Sequence, residues 1–249
     1  MSRGRVVLLH GLAGSARSWS AVAARLGGRP DLVGVPVVTP TLPWHGAADP
    51  AWAWTVDPGA ALAAHVASRD VVVAHSFAAA LLLDRLCRDD APRPAAVVLV
   101  APFYRPDPRH FRWATLAHFL DDFHLLIEQG VRAAADHRID AALLRDMACA
   151  VRERVGAHGW VRFFDAYLRT SLLDVADVEP PLLVLHGADD DVAPPDDGQE
   201  LALRVPGARF RRLPATGHFP MLHAPDAVAD AVADLARTAW SPTPQEALR

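Results

Sequence analysis

The chain has 249 residues, of which 51% are hydrophobic and 22% are charged, and its formal net charge is −4. This length and hydrophobic content predict one large folded domain, or one domain with an insertion, and exclude a disordered chain. The negative charge offers no basic surface to nucleic acid and no polybasic membrane patch. All 25 basic residues are arginines, which excludes Schiff-base chemistry and a lysine-anchored pyridoxal phosphate.

The sequence carries none of the usual signs of a membrane protein or a metalloprotein. Its first residues, MSRGRVVLLHG, enter a strand-like run directly and lack the pattern of a signal peptide. No apolar run reaches the roughly 20 residues that a membrane span needs. The 12 histidines are scattered, without the spacing of metal ligands. We therefore expect a cytoplasmic protein with no membrane partner, no metal and no cofactor.

Short apolar runs with glycine or proline at their ends predict buried parallel strands. They cover residues 5–9, 35–38, 71–74, 97–100, 182–185 and 209–213. Alanine-rich helical patterns separate most of them, such as residues 58–68, where Asp57 is a plausible N-cap. Residues 89–92 are predicted to end the helix after the third strand, and the tail 241–249 to be frayed. This alternation predicts an α/β fold with a doubly wound, mainly parallel sheet.

One long interval interrupts the alternation of strands and helices. Residues 103–178 contain no strand-like run, but they include amphipathic and aromatic stretches such as HGWVRFFDAYLRTSLLD. The carboxyl ends of the strands are where open α/β sheets bind their ligands. We therefore predict a helical cap, or lid, over residues 103–178, inserted into a core formed by residues 1–102 and 179–249.

The stretch VVVAHSFAAALLL, residues 71–83, places Ser76 between a predicted strand and a predicted helix. A serine at such a turn lies at the positive end of the helix dipole, beside the next residue's N–H group. Tight turns of this kind need small residues two before and two after the serine. Ala74 and Ala78 meet that need, although glycine is usual there. The alternative is that Ser76 is only a helix N-cap, a common role for serine.

Two further loops follow predicted strands and carry groups that could act together with Ser76. The acidic loop in LLVLHGADDDVAPP follows the fifth strand, and ATGHFP places His218 after the sixth. Separately, an acidic loop is usually solvated and a single histidine is usually structural. Together the three loops have the order Ser, Asp, His at strand ends, as acyl-transfer triads on such sheets require.

These segments resemble the α/β-hydrolase superfamily, and within it the small esterase, C–C hydrolase and acyl-ester hydrolase group with a helical cap. The resemblance lies in VVLLHGLAGS, TPTLPWHG, VVVAHSFAAA, LLVLHGADDDVAPP and ATGHFPMLHAPDAVADAV. It spans nearly the whole predicted core but leaves the cap without a signature. It implies a six-stranded core that lacks the N-terminal hairpin, as in plant-type esterases and hydroxynitrile lyases.

The resemblance also implies roles for individual residues. Ser76 becomes the nucleophile and His218 the general base. The spacing of the family's acidic loop selects Asp190 as the acid that orients the histidine, with Asp189 and Asp191 as the alternatives.

The backbone N–H groups of Leu12 and Phe77 would form the oxyanion hole. The chain departs from its relatives at Thr41 and Trp44, where Asp and Gly are frequent, and at His223, where glutamate is frequent. The Trp44 indole is therefore expected near the cleft. The predicted substrate-binding residues are Trp44, His75, Phe111, Trp113, Phe119, Phe123, Trp160 and Phe219.

The expected activity is that of a serine hydrolase acting on an ester or thioester of an apolar or aromatic acyl group. Its partner would be a small-molecule acyl ester or a carrier-bound acyl thioester. One alternative is an acyltransferase of the same fold, which passes the acyl group from a carrier thioester to an alcohol or amine in secondary metabolism. Another is a ligand-binding receptor or pseudo-hydrolase that retains the triad without using it.

Overall fold

The computed structural model describes residues 4–88, 93–121, 123–135 and 139–241. Within these ranges, six strands form one sheet in the order β2-β1-β3-β4-β5-β6, and each neighbouring pair is parallel. The strands are β1 (Val6–Leu9), β2 (Val37–Val38), β3 (Val71–His75), β4 (Ala96–Val100), β5 (Leu182–Gly187) and β6 (Arg209–Leu213). This arrangement confirms the predicted doubly wound, parallel α/β sheet. The predicted helix end at residues 89–92 and the tail after residue 241 lie outside the described ranges.

Helices flank the sheet and fill the long interval between β4 and β5. They are α1 (Ser20–Gly27), α2 (Trp52–Thr55), α3 (Pro58–Ala63), α4 (Phe77–Leu86), α5 (Trp113–Asp121), α6 (Phe123–Ala134), α7 (Ala141–Thr170), α8 (Pro195–Arg204), α9 (Pro220–His223) and α10 (Pro225–Trp240). None of the described helices is both long enough and apolar enough to cross a membrane.

Strand β2 and helix α3 are shorter than predicted by two residues or more. Strand β2 has two residues rather than the four predicted over 35–38. Pro36 has no N–H group to donate, and its carbonyl accepts a hydrogen bond from the Val6 amide at 2.9 Å. Helix α3 ends at Ala63 rather than at residue 68. Its predicted N-cap is confirmed, because the Asp57 carboxylate accepts hydrogen bonds from the two amides that follow Pro58.

The four inner strands, β1, β3, β4 and β5, are buried on both faces, and their alternate residues belong to different halves of the core. The edge strands β2 and β6 are partly exposed. Val7, Leu9 and Val72 face α4 and the helices of the interval, whereas Val6 and Leu8 face α1 and α10. All five side chains are completely buried. Burial on both faces explains why the four inner strands appear in the sequence as continuous apolar runs rather than as alternating patterns.

The strand order places the carboxyl ends of β1 and β3 side by side. Strand β1 has β2 on one side and β3 on the other, and Leu9 of β1 is in register with Ala74 of β3. The chain therefore changes direction across the sheet at this point, which is where open α/β sheets bind ligands. The loop after β1 and the turn containing Ser76 meet there.

Residues 103–178, the helical insertion, contain α5, α6 and α7. The described part of this segment has no strand. Helix α7 is interrupted at Gly156, whose φ of 63° and ψ of 174° lie outside the helical region. The division of the chain into a core and a separate lid stays a prediction.

Candidate active site

Ser76 occupies a sharp turn between strand β3 and helix α4. Its backbone has a φ of 56° and a ψ of −117°, a conformation that L-residues rarely adopt. Ala74 and Ala78 are completely buried in this turn, where larger side chains would meet the packed core. The Ser76 side chain makes no capping hydrogen bond to α4, so the N-cap alternative does not describe its geometry.

The structure brings Ser76, His218 and Asp190 together in one hydrogen-bonded row. Ser76 Oγ lies 3.0 Å from His218 Nε2, and His218 Nδ1 lies 2.9 Å from Asp190 Oδ2. All three side chains are buried, which strengthens the electrostatic interactions along the row. The aspartate can therefore hold the imidazole in the tautomer that accepts a proton from the serine.

Asp190 is fixed as an ionised carboxylate by several donors. Burial opposes its ionisation, but nearby His218, side-chain hydrogen bonding and the Ala193 amide outweigh that and hold the pKa of Asp190 well below its usual range. Its Oδ1 accepts from the amides of Val192 and Ala193, at 3.0 and 2.9 Å. The alternative Asp191 is exposed and accepts a hydrogen bond from Gln129 of α6 instead.

A further histidine, His186, lies behind Asp190 and was not indicated by the sequence. It is completely buried at the end of β5, and its Nδ1 lies 3.7 Å from Asp190 Oδ2. Its ring packs directly on Gly198 of α8, where an added Cβ would come within 2.3 Å of the ring. The close approach of α8 therefore fixes the ring beside the carboxylate.

His75 is hydrogen-bonded to the backbone of His218. Its Nε2 donates a hydrogen bond to the His218 carbonyl at 2.8 Å, and the two rings lie 5.0 Å apart. Burial, followed by the nearby His218 ring, lowers the pKa of His75 to about 3, so its imidazole is neutral. His75 also lines a cavity beside Ser76, but its polar contact is with the backbone of His218.

The loop after β1 and the start of α4 each bring one amide group beside Ser76. A Cβ on Gly11 would lie 3.0 Å from the Ser76 Cβ and 2.9 Å from His75 Nδ1, so only glycine allows this approach. The amide of Leu12 follows directly, and that of Phe77 opens α4. Neither amide donates a hydrogen bond to another described residue. Both are therefore available to an oxyanion formed next to Ser76.

His10 and Trp44 hold this loop in place. His10 bonds to the Gly11 carbonyl through Nδ1, at 2.9 Å, and accepts from the Leu42 amide through Nε2, at 3.2 Å. Burial lowers the pKa of His10 to about 4, so both contacts belong to the neutral ring. The Trp44 indole donates to the His10 carbonyl and packs on Phe77, with ring centroids 5.2 Å apart.

A cavity of about 460 Å³ opens beside Ser76, between the core and the helical insertion. Three of the eight predicted substrate-binding residues line it: His75, Phe123 and Phe219. The insertion adds Phe163, one of the cap aromatics from which we predict an apolar or aromatic acyl group, and four aliphatic side chains that the sequence did not single out, namely Leu126, Ile127, Val131 and Val151. The core adds residues that include Arg17, His45, Met221 and Leu222.

The other predicted substrate-binding residues lie elsewhere. Trp44 is buried behind the loop after β1, and Trp113 is 85% exposed. Phe111 packs on Tyr167, with ring centroids 4.9 Å apart. Phe119 is buried within the insertion, where its carbonyl accepts a hydrogen bond from the Trp160 indole at 3.3 Å. Apart from the exposed Trp113, these rings pack against the rest of the fold, and none of the five borders the cavity.

Similarity to known proteins identifies the family of this chain. The Alpha/beta hydrolase family matches the chain over residues 6–231. The chain belongs to this family. A pimeloyl-(acyl-carrier protein) methyl ester esterase of Aromatoleum aromaticum is 30% identical to this hydrolase over 261 residues, covering 95% of this chain and 100% of the relative. The α/β hydrolase is thus an esterase-type enzyme of the hydrolase class.

Solved structures share the fold of this hydrolase at low identity. A thermophilic esterase from Thermogutta terrifontis superimposes with a TM-score of 0.64 and 21% identity, covering 96% of this chain and 92% of that chain. An enol-lactonase from Burkholderia xenovorans superimposes with a TM-score of 0.60 and 18% identity, covering 94% of this chain and 92% of that chain. At these identities the likeness is one of fold.

Proposed function

We propose that this hydrolase cleaves an ester or thioester of an apolar acyl group through an acyl-enzyme on Ser76. The observation that carries the proposal is the row from Ser76 Oγ through His218 to Asp190, with contacts of 3.0 and 2.9 Å. This row adjoins a cavity that the insertion lines with apolar side chains, and two amides that donate to no other described residue. Nucleophile, base, orienting acid and oxyanion donors are the complete set that acyl transfer requires.

The first half of the reaction acylates the enzyme. His218 Nε2 takes the Ser76 proton while Oγ attacks the substrate carbonyl, and the amides of Leu12 and Phe77 hold the resulting oxyanion. The tetrahedral intermediate then collapses, the bond to the leaving alcohol or thiol breaks, and His218 gives that group the proton.

The second half regenerates the enzyme. His218 takes a proton from a water molecule, whose oxygen attacks the acyl carbonyl. The bond to Ser76 breaks, the acid leaves, and Oγ recovers its proton from His218. Asp190 stays ionised throughout and stabilises the imidazolium that forms twice in each cycle.

The substrate proposal follows from the cavity and from the relative. Phe123, Ile127, Val131, Val151 and Phe163 are apolar, so burial of an acyl chain against them is favourable. The Aromatoleum relative is named for a methyl ester of an acyl group on a carrier protein. We include carrier-bound acyl esters and thioesters among the candidate substrates on that basis.

Labelling with a fluorophosphonate probe tests the assignment of the nucleophile. We expect the wild type to be labelled, and Ser76→Ala and His218→Ala to be unlabelled, since the probe needs an activated serine. A wild type that resists labelling would contradict the proposal. If the wild type labels well but turns over p-nitrophenyl esters poorly, the acyl group goes to an acceptor other than water, which favours the acyltransferase alternative.

A pair of aspartate variants tests the assignment of the orienting acid. Asp190→Asn should lower kcat for a p-nitrophenyl ester by roughly 10³–10⁴-fold, because the amide favours the wrong imidazole tautomer. Asp191→Asn is the matched control one residue away, and its kcat should stay within about twofold of the wild type, because among the described residues its exposed carboxylate accepts a hydrogen bond from Gln129 alone. The reverse pattern would transfer the role to Asp191.

A further inference from the structure

One part of the cavity lining is polar, in contrast to the apolar side chains from the insertion. Ser15 ends the loop after β1, Arg17 lies in the 3-10 turn Ala16–Trp19 that follows, and His45 comes from the segment between β2 and α2. We call these three residues the donor rim. Arg17 is exposed while it also lines the cavity, which places the rim at the mouth rather than at the closed end.

The donor rim carries a positive charge that nothing in the described chain neutralises. Arg17 makes no ion pair or hydrogen bond with another described residue through its side chain. No aspartate or glutamate is found among the described residues that line the cavity. Arg17 is thus the one lining side chain there with a fixed charge, and it faces a space without counter-ions.

The other two rim residues also offer hydrogen-bond donors. The Ala47 amide donates to His45 Nδ1 at 3.2 Å, so the neutral His45 ring carries its proton on Nε2 and can donate it. The Ser15 hydroxyl makes no capping hydrogen bond to the turn that follows it. Arg17 adds the five N–H groups of its guanidinium. A group of donors around a fixed cation suits an anion with several oxygen acceptors.

A second cation strengthens the positive potential at this mouth. The Arg154 guanidinium of α7 reaches the carbonyl of Gly46 at 3.4 Å, and Gly46 lines the cavity directly after His45. The helical insertion and the core therefore each contribute an arginine at the entrance. In a chain with a net charge of −4, this local excess of positive charge attracts anions to the mouth.

We propose that the donor rim binds a carboxylate or phosphate of the substrate, at a point remote from the scissile carbonyl. The substrate class is then an ester or thioester with an apolar acyl chain and a second, anionic end. This inference rests on the proposed function, since it specifies the substrate of the same site. The anion can belong to the far end of a dicarboxylic acyl chain or to a phosphate on the leaving group.

Two matched pairs of substrates separate these sources. The acyl pair is p-nitrophenyl octanoate and the mono-p-nitrophenyl ester of octanedioic acid. The leaving-group pair is the octanoyl thioester of pantetheine and that of 4′-phosphopantetheine. In one of the two pairs, we expect kcat/KM for the anionic member to be at least about tenfold higher than for the neutral member. The gain should come mainly from a lower KM, because a charge-assisted contact stabilises the ground state and the transition state alike.

Variants of Arg17 test the residue that we hold responsible. Arg17→Gln should abolish the preference, so that the ratio of kcat/KM for the anionic member to kcat/KM for the neutral member falls to about one, and Arg17→Glu should reverse the preference. The matched control is Arg209→Gln, which removes an exposed charge at the start of β6, the end of the sheet away from the site. It should leave the preference unchanged. Raising NaCl from about 50 to about 500 mM should weaken the preference in the wild type.

The outcomes distinguish this inference from the proposed function. If Ser76 is labelled and the neutral esters are hydrolysed, but neither pair shows a preference for the anion, the donor rim does not bind the substrate. A preference that survives Arg17→Gln would also overturn the inference. If Ser76 is not labelled and no ester is cleaved, the proposed function itself fails.

Discussion

At the scale of single residues, Ser76 combines a reactive position with an unfavourable backbone conformation. Its φ of 56° and ψ of −117° fall in a region that glycine adopts readily and other residues do not. Such a conformation costs about 1–3 kcal/mol. We expect Ser76→Gly to be more stable than Ser76→Ala by about 1 kcal/mol, as measured by urea unfolding, while both variants lack the nucleophile and are inactive.

A control within the same segment separates strain from the general effect of glycine. Ala80 lies inside α4 and is buried, so Ala80→Gly should destabilise the protein by about 0.5–1 kcal/mol or more, through chain entropy and lost packing. If glycine is also the less stable choice at position 76, the turn stores no strain, and the smallness of its neighbours alone explains the motif.

The proximity of Ser76, His218 and the acidic loop could be predicted from the sequence because it follows from topology. Parallel strands bring their carboxyl ends to one edge, so Ser76, His218 and the acidic loop had to end near one another. The sequence could not indicate Arg17, since an arginine in a surface loop is ordinary. Nor could it place Trp44, because residue type gives the size of an indole but not the side of the loop on which it packs.

At the scale of elements, the interruption of α7 has a consequence for the cavity. Gly156 has a φ of 63° and a ψ of 174°, a region open essentially to glycine alone. Val151 before it and Phe163 after it both line the cavity. Nothing lies within 4 Å of a Cβ added at Gly156, so alanine would meet a conformational penalty and no clash. We expect Gly156→Ala to destabilise the protein by about 1–3 kcal/mol and to raise KM.

Gly27→Ala is the matched control for this variant. Gly27 ends α1, a Cβ there also has open space, and its φ is not in the left-handed region. It should be neutral, or stabilising by up to about 1 kcal/mol, with an unchanged KM. Equal melting temperatures and KM values for the two variants would mean that the interruption in α7 does not shape the cavity.

The elements of the sheet were easier to predict than those of the insertion. Buried strands such as β3 and β4 appear as short apolar runs that only a parallel sheet explains. The insertion was predicted as helical, but its amphipathic patterns do not reveal which apolar face packs internally and which borders a cavity. Phe119 and Phe123 illustrate this, because the first is enclosed by insertion rings and the second reaches the cavity.

At the scale of the whole molecule, two buried neutral histidines couple folding to pH. Burial is the main cause that lowers the pKa of His10 to about 4 and that of His75 to about 3. In the unfolded chain, the pKa of each histidine returns to about 6.5. Below that pH the unfolded state binds protons that the folded state excludes, so acid favours unfolding.

The lowered pKa values of His10 and His75 define the pH range over which acid destabilises the fold. The contribution of each histidine to stability is complete above about pH 6.5 and falls as the pH drops, until about pH 4 for His10 and about pH 3 for His75. Asp190 has a lowered pKa, and its contribution is lost only below the usual aspartate range near pH 3.9. Between pH 6 and 4.5, His10 and His75 therefore contribute more than Asp190 to the pH dependence of the free energy of unfolding. Each histidine lowers that free energy by roughly 1.4 kcal/mol per pH unit as the pH falls.

Urea unfolding at several values between about pH 7 and 4.5 measures this slope. We expect His75→Gln to reduce the slope by roughly 1.4 kcal/mol per pH unit, because glutamine does not titrate. Met221→Leu, at a buried and non-titrating neighbour of the site, should change the free energy of unfolding equally at every pH and leave the slope intact. If His75→Gln behaves as Met221→Leu does, the His75 ring takes up protons in the folded state, and its hydrogen bond to the His218 carbonyl does not require the neutral form.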